Sequence, residues 1–137
     1  MKFAKVVFYS AGIYGFPVIL MGYFSESWVA THYPPAVTHP EYFYGFIGVT
    51  LAWQVAFLII ARDPLRYRSL MIPSMLEKLG YALAVLILYL QHRLDPALFW
   101  LGSLDWLFLF GFVAAYFVTR HPANRTSREA DGALSAG

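Results

Sequence analysis

Two carboxylates lie inside long apolar stretches of this sequence, and they are the first candidates for chemistry. Glu77 falls in the stretch 70–91 and Asp105 in the stretch 97–119. An ionisable side chain at the centre of a membrane span costs about 2.5–3.5 kcal/mol even on an insertion scale, so such a group commonly marks a ligand, proton or ion site. Glu77 and Asp105 are therefore predicted to be binding or acid–base groups.

Matching depths across antiparallel spans groups further polar side chains with the two carboxylates. At ~1.5 Å per residue, Asp105 lies in the outer leaflet and Glu77 in the inner leaflet, with ~9 Å of helix axis between them. This separation predicts a poor acid–base pair, because proton transfer needs hydrogen-bond reach. The predicted ligand-binding residues, which form two polar layers, are Asp105, Glu77, Gln54, Thr50, Tyr81, Tyr14 and Tyr9.

A packing role is the alternative to a binding role for these carboxylates. Glu77 precedes Lys78, so it is also a candidate for a neutral or lysine-paired carboxylate that locks the helices by hydrogen bonds to Tyr9 or Gln54. Such interhelical bonds contribute roughly 0.6–2 kcal/mol each. Lys78 itself is expected just inside the inner end of its helix. Asp105 has no basic neighbour in the sequence, and we expect hydroxyl groups to be its nearest partners.

The four histidines do not suggest a metal or haem site. None is predicted at mid-membrane depth, and no two are spaced as i and i+4, the spacing that brings two ligands to one helix face. The signatures of serine hydrolases, phosphate loops and dinucleotide folds are absent from the sequence. No catalytic residue, metal or cofactor is therefore predicted. The histidines are His32, His39, His92 and His121.

The elements that position these residues follow from composition. Of the 137 residues 59% are hydrophobic and only 13% are charged, too apolar a balance for a soluble domain. The sequence has no cysteine, which excludes thiol chemistry and disulfides. We predict an all-α integral membrane four-helix bundle, a single domain over 1–121, with a polar tail over 122–137 that is disordered and cytoplasmic. The predicted spans are 6–24, 42–61, 70–91 and 97–119.

Basic residues set the predicted orientation. The positive-inside rule predicts that both termini are cytoplasmic. The predicted membrane is a plasma membrane, the inner membrane of a bacterium. The net charge of the chain is +2, and its basic residues lie mainly at these helix ends. This placement argues against nucleic-acid binding. The first span is longer than the ~7–15 apolar residues of a signal peptide, so we expect it to be retained rather than cleaved. The inner residues are Lys2, Lys5, Arg62, Arg66, Arg68, Arg120, Arg125 and Arg128, against Arg93 outside.

Small residues form stripes on the first two predicted spans. Gly12 and Gly15 recur at a helical step on the first span, and Gly45 and Gly48 do so on the second. Glycines on one face let another helix backbone approach closely in a membrane. They predict a contact with another helix, either in a homo-dimer or with a partner membrane protein.

The stretch 41–116 resembles the DoxX-like group of small four-helix bacterial membrane proteins and the families near it. Three features carry the resemblance. Tyr44-Gly45 stands at the start of the second span, residues 61–64 with Arg66 and Arg68 stand where that span leaves the membrane, and Asp105 lies in the fourth span. The resemblance implies the same four-helix architecture. Some DoxX-like members are similar to accessory subunits of membrane oxidoreductases, which implies at most a supporting role here.

Three functions fit these features. The first is a non-enzymatic membrane protein that binds a lipid-like or hydrophobic small molecule in its bundle, or supports a membrane complex. The second is a membrane enzyme that acts on a lipid or sterol-like substrate with Asp105 or Glu77 as acid or base. The third is a small dimeric transporter, which would carry out proton- or ion-coupled flux.

Overall fold

The chain folds into helices, as a computed structural model that describes residues 1–120 shows. No strand occurs in those residues, and the predicted all-α class is confirmed. His121 and the predicted tail 122–137 lie outside the described residues. The helices are α1 (Lys2–Gly22), α2 (Glu26–His32), α3 (Pro40–Arg62), a 3₁₀ turn (Arg68–Leu70), α4 (Met71–Leu90), α5 (Pro96–Gly102) and α6 (Leu104–Val118).

Four helical segments are long and apolar enough to cross a membrane. They are Lys2–Gly22, Pro40–Arg62, Arg68–Leu90 and Pro96–Val118, and each contains or overlaps one of the predicted spans. Most helices begin a few residues earlier than the uncharged stretches, because charged and prolyl residues at a water interface still belong to the helix. Pro40 and Glu41 illustrate this in the first turn of α3, where a proline and an acidic side chain are both favourable.

A short helix forms between the first two predicted spans, in the connection from α1 to α3. α2 follows α1 after a three-residue turn, and the Tyr44 hydroxyl on α3 donates a 2.6 Å hydrogen bond to Glu26 Oε2 on α2. Ser25 Oγ also donates to the Gly22 carbonyl at the end of α1. These local bonds hold the connection against α3.

The fourth long segment is broken at one residue. α5 begins with an Asp95 carboxylate that accepts from the Ala97 amide at 2.8 Å, and it ends at Gly102. Ser103 intervenes, with its hydroxyl donating to the Phe99 carbonyl at 2.8 Å, and α6 starts at Leu104. A hydroxyl that bonds to the preceding turn commonly bends a helix. The break places Asp105 in the first turn of α6, where the helix dipole favours a negative charge.

The start of α1, the end of α3, the start of α4 and the end of α6 pack together in one buried core. Its centre is aromatic: the rings of Phe8 and Phe112 stack with centroids 4.2 Å apart, and Phe57 packs edge-on to Phe112 at 5.0 Å. We call this end of the molecule the basic end, because Lys2, Arg62, Arg68 and Arg120 belong to it. The buried residues of the core are Ala4, Phe8, Ala11, Phe57, Ile60, Ala61, Met71, Phe112 and Ala115.

An arginine in the 3₁₀ turn before α4 binds the end of α6 at the basic end. The Arg68 guanidinium lies 3.8 Å from the centroid of the Tyr116 ring and donates to the Tyr116 carbonyl at 3.3 and 3.4 Å. That carbonyl is one of the last of α6, which have no partner within the helix, so Arg68 caps the helix as well as pairing with the ring.

Glycines on α1 allow the close contact between α1 and α3. A Cβ atom on Gly12 would lie 2.6 Å from Leu58 Cδ2 and 3.0 Å from the Gln54 carbonyl oxygen, both on α3. Gly48 lies near the Tyr23 hydroxyl, whereas a Cβ on Gly45 would meet nothing within 4 Å. Gly12 therefore serves packing inside the chain, and a contact of Gly45 with a second copy or a partner stays a prediction.

Gly12→Ala is expected to destabilise the protein by about 1–3 kcal/mol, because Leu58 and a backbone carbonyl must shift to admit the methyl group. Thermal unfolding in mild detergent, followed by circular dichroism, measures the change. Gly45→Ala is the matched control: it has space for the methyl group and should be neutral or stabilising by up to ~1 kcal/mol. Equal stability of the two variants would contradict the tight contact of α1 with α3.

Candidate ligand-binding cavity

Lys78 lies at the centre of the charged groups inside the molecule. Its ammonium Nζ is 2.9 Å from Asp105 Oδ1 on α6 and 3.3 Å from Glu77 Oε2 beside it on α4. The Lys78 side chain is only 7% exposed. The Phe57 ring of the core lies beneath the ammonium, with its centroid 5.3 Å away. One cation thus contacts both carboxylates, next to the aromatic core.

Periodicity of α4 explains why Lys78 points inward. The buried residues of this helix recur at steps of three and four, and Lys78 belongs to that stripe; they are Met71, Ser74, Lys78, Ala82 and Val85. The ammonium reaches Asp105 on a long methylene stem that itself packs among apolar groups. The expectation that Lys78 lies just inside the inner end of its helix is wrong, since it follows Arg68 by ten residues and is buried. Its place in the stripe is the signal that could have revealed it.

The structure corrects the predicted partners of the carboxylates. Asp105 has Lys78 as its nearest partner rather than a hydroxyl group. Because both carboxylates contact the same ammonium, their oxygens cannot be farther apart than the sum of the two contact distances, about 6 Å. The two predicted polar layers are therefore a single cluster, since a lysine side chain spans the axial separation that helix counting assigned to Glu77 and Asp105.

Glu77 is the less satisfied of the two carboxylates. Its Oε2 atom is buried and accepts no hydrogen bond from any residue in 1–120, so its 3.3 Å contact with Lys78 is an ion contact only. The predicted hydrogen bonds to Tyr9 or Gln54 are not formed. The pairing of Glu77 with Lys78 is confirmed. A buried acceptor without a donor costs roughly 1–3 kcal/mol, more for a charged group, so Glu77 lies where a further donor would be stabilising.

A cavity of about 140 Å³ opens beside this cluster. All four long segments line it, on the side of the cluster away from the basic end. Six of the seven predicted ligand-binding residues are among the lining residues. They are Tyr14, Thr50, Gln54, Glu77, Tyr81 and Asp105, to which the structure adds Lys78. A cavity of this size holds a molecule of roughly benzene size.

Tyr9 is the predicted site residue that the structure leaves out. It is absent from the cavity lining and 37% exposed on the surface of α1. Its neighbour Phe8 is fully buried in the core, and successive residues of a helix point about 100° apart. Depth counting gives the level of a side chain along the helix but not its direction around it.

Gln54 lines the cavity, and a hydrogen bond within its own helix holds its side chain. It is 2% exposed, and its Nε2 donates to the Thr50 carbonyl one turn earlier at 3.1 Å. Gly15 on α1 faces it, and a Cβ atom there would overlap the Gln54 side-chain amide. The glycine on α1 therefore admits a polar side chain between two helices.

The mouth of the cavity is apolar. Six lining residues are more than a third exposed, and all are aliphatic or aromatic; they are Tyr14, Val18, Phe46, Tyr81, Leu101 and Leu104. The cavity therefore joins a charged inner wall to an apolar opening. Such a combination of apolar walls and a few convergent polar groups is typical of small-molecule sites.

Ionisable residues on the rim, away from the cavity, make local contacts. Within residues 1–120, no three side chains of His, Cys, Asp or Glu come together in a way that could hold a metal ion. His39 contacts Glu41 at 3.3 Å on the exposed rim, and His32 stacks on Trp28. These contacts are local, within one short helix or one helix start.

Lys78→Met is expected to destabilise the protein by about 3–5 kcal/mol, because it keeps the apolar stem but leaves Asp105 and Glu77 buried without a counter-ion. Thermal unfolding in mild detergent measures the loss. Lys5→Met, at an exposed lysine, is the matched control and should change stability by less than about 0.5 kcal/mol.

The double variant Lys78→Met/Asp105→Asn separates the pair from the rest of the cluster. Its loss of unfolding free energy should be smaller, by at least about 1 kcal/mol, than the sum of the losses in the two single variants. The reason is that each single variant leaves one charge unpaired, whereas the double variant removes both charges. Additive losses, or a Lys78→Met variant as stable as Lys5→Met, would show that the ion pair contributes nothing.

Comparison of this chain with protein-family models, with curated proteins and with solved structures finds no match. The resemblance to DoxX-like proteins therefore stays a prediction. Of the residues that carry it, Tyr44, Arg68 and Asp105 each contact another helix, at Glu26, Tyr116 and Lys78. The function is accordingly inferred from the geometry of the cavity.

Proposed function

We propose that the chain is an integral membrane protein whose four long segments cross the bilayer with both termini in the cytoplasm. The basic end gathers Lys2, Arg62, Arg68 and Arg120, and basic residues are retained on the cytoplasmic side of a membrane. The buried ion pair supports this arrangement, because intramembrane charges commonly face the interior and pair with one another. A bacterial inner membrane is the proposed location.

Single cysteines test this topology cleanly, because the chain has none of its own. Thr38→Cys and Ser69→Cys both replace exposed residues, the first between α2 and α3 and the second in the turn between α3 and α4. A membrane-impermeant maleimide should label Thr38→Cys in intact cells and Ser69→Cys only after permeabilisation. The reverse pattern would invert the proposed orientation, and equal labelling of both in intact cells would exclude a membrane-crossing arrangement.

In this membrane the cavity binds a hydrophobic small molecule that carries a polar group. The observation that supports this best is the joining of an apolar mouth to the wall of Glu77, Lys78 and Asp105. A molecule dissolved in the bilayer can enter by the mouth with its apolar part in contact with Val18 and Leu101, while its polar group meets the charged wall. A non-enzymatic binding or supporting role follows as the simplest reading of this geometry.

Val18→Trp is expected to reduce binding about tenfold or more, which corresponds to ~1.4 kcal/mol, because an indole at the mouth occupies the entry path. Val18 is 46% exposed, so the larger side chain should not disturb the core. Ile13→Trp is the matched control: it lies on the same helix, is 64% exposed and does not line the cavity. Native mass spectrometry of protein released from lipid nanodiscs records the compounds that remain bound.

A compound retained by the wild type and by Ile13→Trp, but lost in Val18→Trp, would support the proposed site and identify its ligand class. Retention that does not differ between the two tryptophan variants would place the compound elsewhere on the surface. Chemical conversion of the retained compound would replace binding by the enzymatic alternative, for which the closeness of Glu77 and Asp105 provides two carboxylates on one cavity.

A further inference from the structure

The charges that line the cavity do not balance. Glu77 and Asp105 carry two negative charges when ionised, Lys78 carries one positive charge, and the remaining lining residues are uncharged. A net charge is costly in a membrane interior, where charged groups are normally paired. With both carboxylates ionised, the lining therefore carries one unit of negative charge that none of its side chains compensates.

The unbalanced charge is located at Glu77. Lys78 lies closer to Asp105, at 2.9 Å, than to Glu77, at 3.3 Å, and Glu77 Oε2 has no hydrogen-bond partner among residues 1–120. A cationic donor at this oxygen would supply both the missing hydrogen bond and the missing charge. An anionic group would instead be repelled by two carboxylates that face a single ammonium.

Aromatic rings in the same cavity point independently to a cation. Tyr14 and Phe108 form one pair, with centroids 6.2 Å apart, and Phe46 and Tyr81 form another at 5.8 Å. All four residues line the cavity. The faces of aromatic rings attract ammonium groups, by about 0.5–2 kcal/mol each depending on how dry the site is.

We propose that the cavity is a site for lipophilic amines, with the ligand ammonium on the Glu77 carboxylate and the apolar part of the ligand directed through the mouth. This inference rests on the proposed function and specifies the class of its ligand. The volume of about 140 Å³ accommodates an ammonium with a ring or a short chain, and a longer apolar part extends past Val18 and Leu104. Lys78 and Asp105 pair with each other, and this pair holds Glu77 in position for the ligand.

Three probes with one skeleton test the charge requirement: 4-phenylbutylamine, 4-phenylbutanol and 4-phenylbutyrate. Binding is measured by isothermal titration calorimetry on protein in nanodiscs of zwitterionic phosphatidylcholine, with empty nanodiscs subtracted. The amine should bind at least about tenfold more tightly than the alcohol, the gain expected for a charge-assisted hydrogen bond, and the carboxylate should bind most weakly. Val18→Trp should weaken the amine and the alcohol together, because it blocks the common entry.

Glu77→Gln keeps the shape of the side chain and removes its charge, so the ratio of amine to alcohol affinity should fall to about one. Glu41→Gln, at an exposed glutamate outside the cavity, is the matched control and should keep the wild-type ratio. If Glu77→Gln does not fold, the wild-type ranking of the three probes decides the question by itself.

Equal affinity of the wild type for amine and alcohol would overturn the inference and indicate that a proton, rather than a ligand, neutralises Glu77. The proposed function would survive that result, provided that binding of both probes is weakened in Val18→Trp and not in Ile13→Trp. Binding of none of the probes would overturn the inference, and the proposed function would fail as well if no compound co-purifies with the protein.

Discussion

The ion pair between Lys78 and Asp105 is the constraint on which the rest of this structure depends. A lone ammonium on the buried face of α4 would be prohibitively costly in hydrocarbon, so a carboxylate must face it from another helix. Asp105 meets that need at 2.9 Å and thereby sets how α4 and α6 lie against each other. Glu77, on the same helix as the lysine, adds a second carboxylate without a second cation. The pair thus joins α4 to α6 and leaves Glu77 at the wall of the cavity without a cation of its own.

The molecule divides into a tightly packed half and a half with a cavity. Toward the basic end, the stacked rings of Phe8 and Phe112 with Phe57 fill the space between the helices. Toward the other end, Gly15 admits Gln54 between α1 and α3, and the fourth segment is interrupted at Ser103. The interior there is not filled and holds the cavity of about 140 Å³. The cluster of Glu77, Lys78 and Asp105 lies between the two halves. The Phe57 ring contacts it on the side of the basic end, and the cavity lies on its other side.

The sequence determined the helical class and the level of the polar groups. Twenty apolar residues have one stable arrangement in a membrane, because only a helix satisfies its backbone hydrogen bonds within one segment. The stretches that end at Arg62 and begin at Arg68 are therefore helices whatever their neighbours are. Counting along each helix selected six residues that line one cavity, although it divided them between two levels. The pairing of Glu77 with Lys78 follows from their adjacency.

The tertiary structure alone decided which way each side chain faces and which groups meet. Tyr9 lies at a suitable level but points to the surface, since the rotation of α1 is fixed by Phe8 in the core. Asp105 meets Lys78, 27 residues away in the chain, because α4 and α6 pack face to face and a lysine stem spans their difference in level. The hydrogen bond that joins α2 to α3 is donated by Tyr44 to Glu26, which lies 18 residues away in the chain. These features arise from contacts between helices, whose energies depend on neighbours that a single stretch of sequence does not specify.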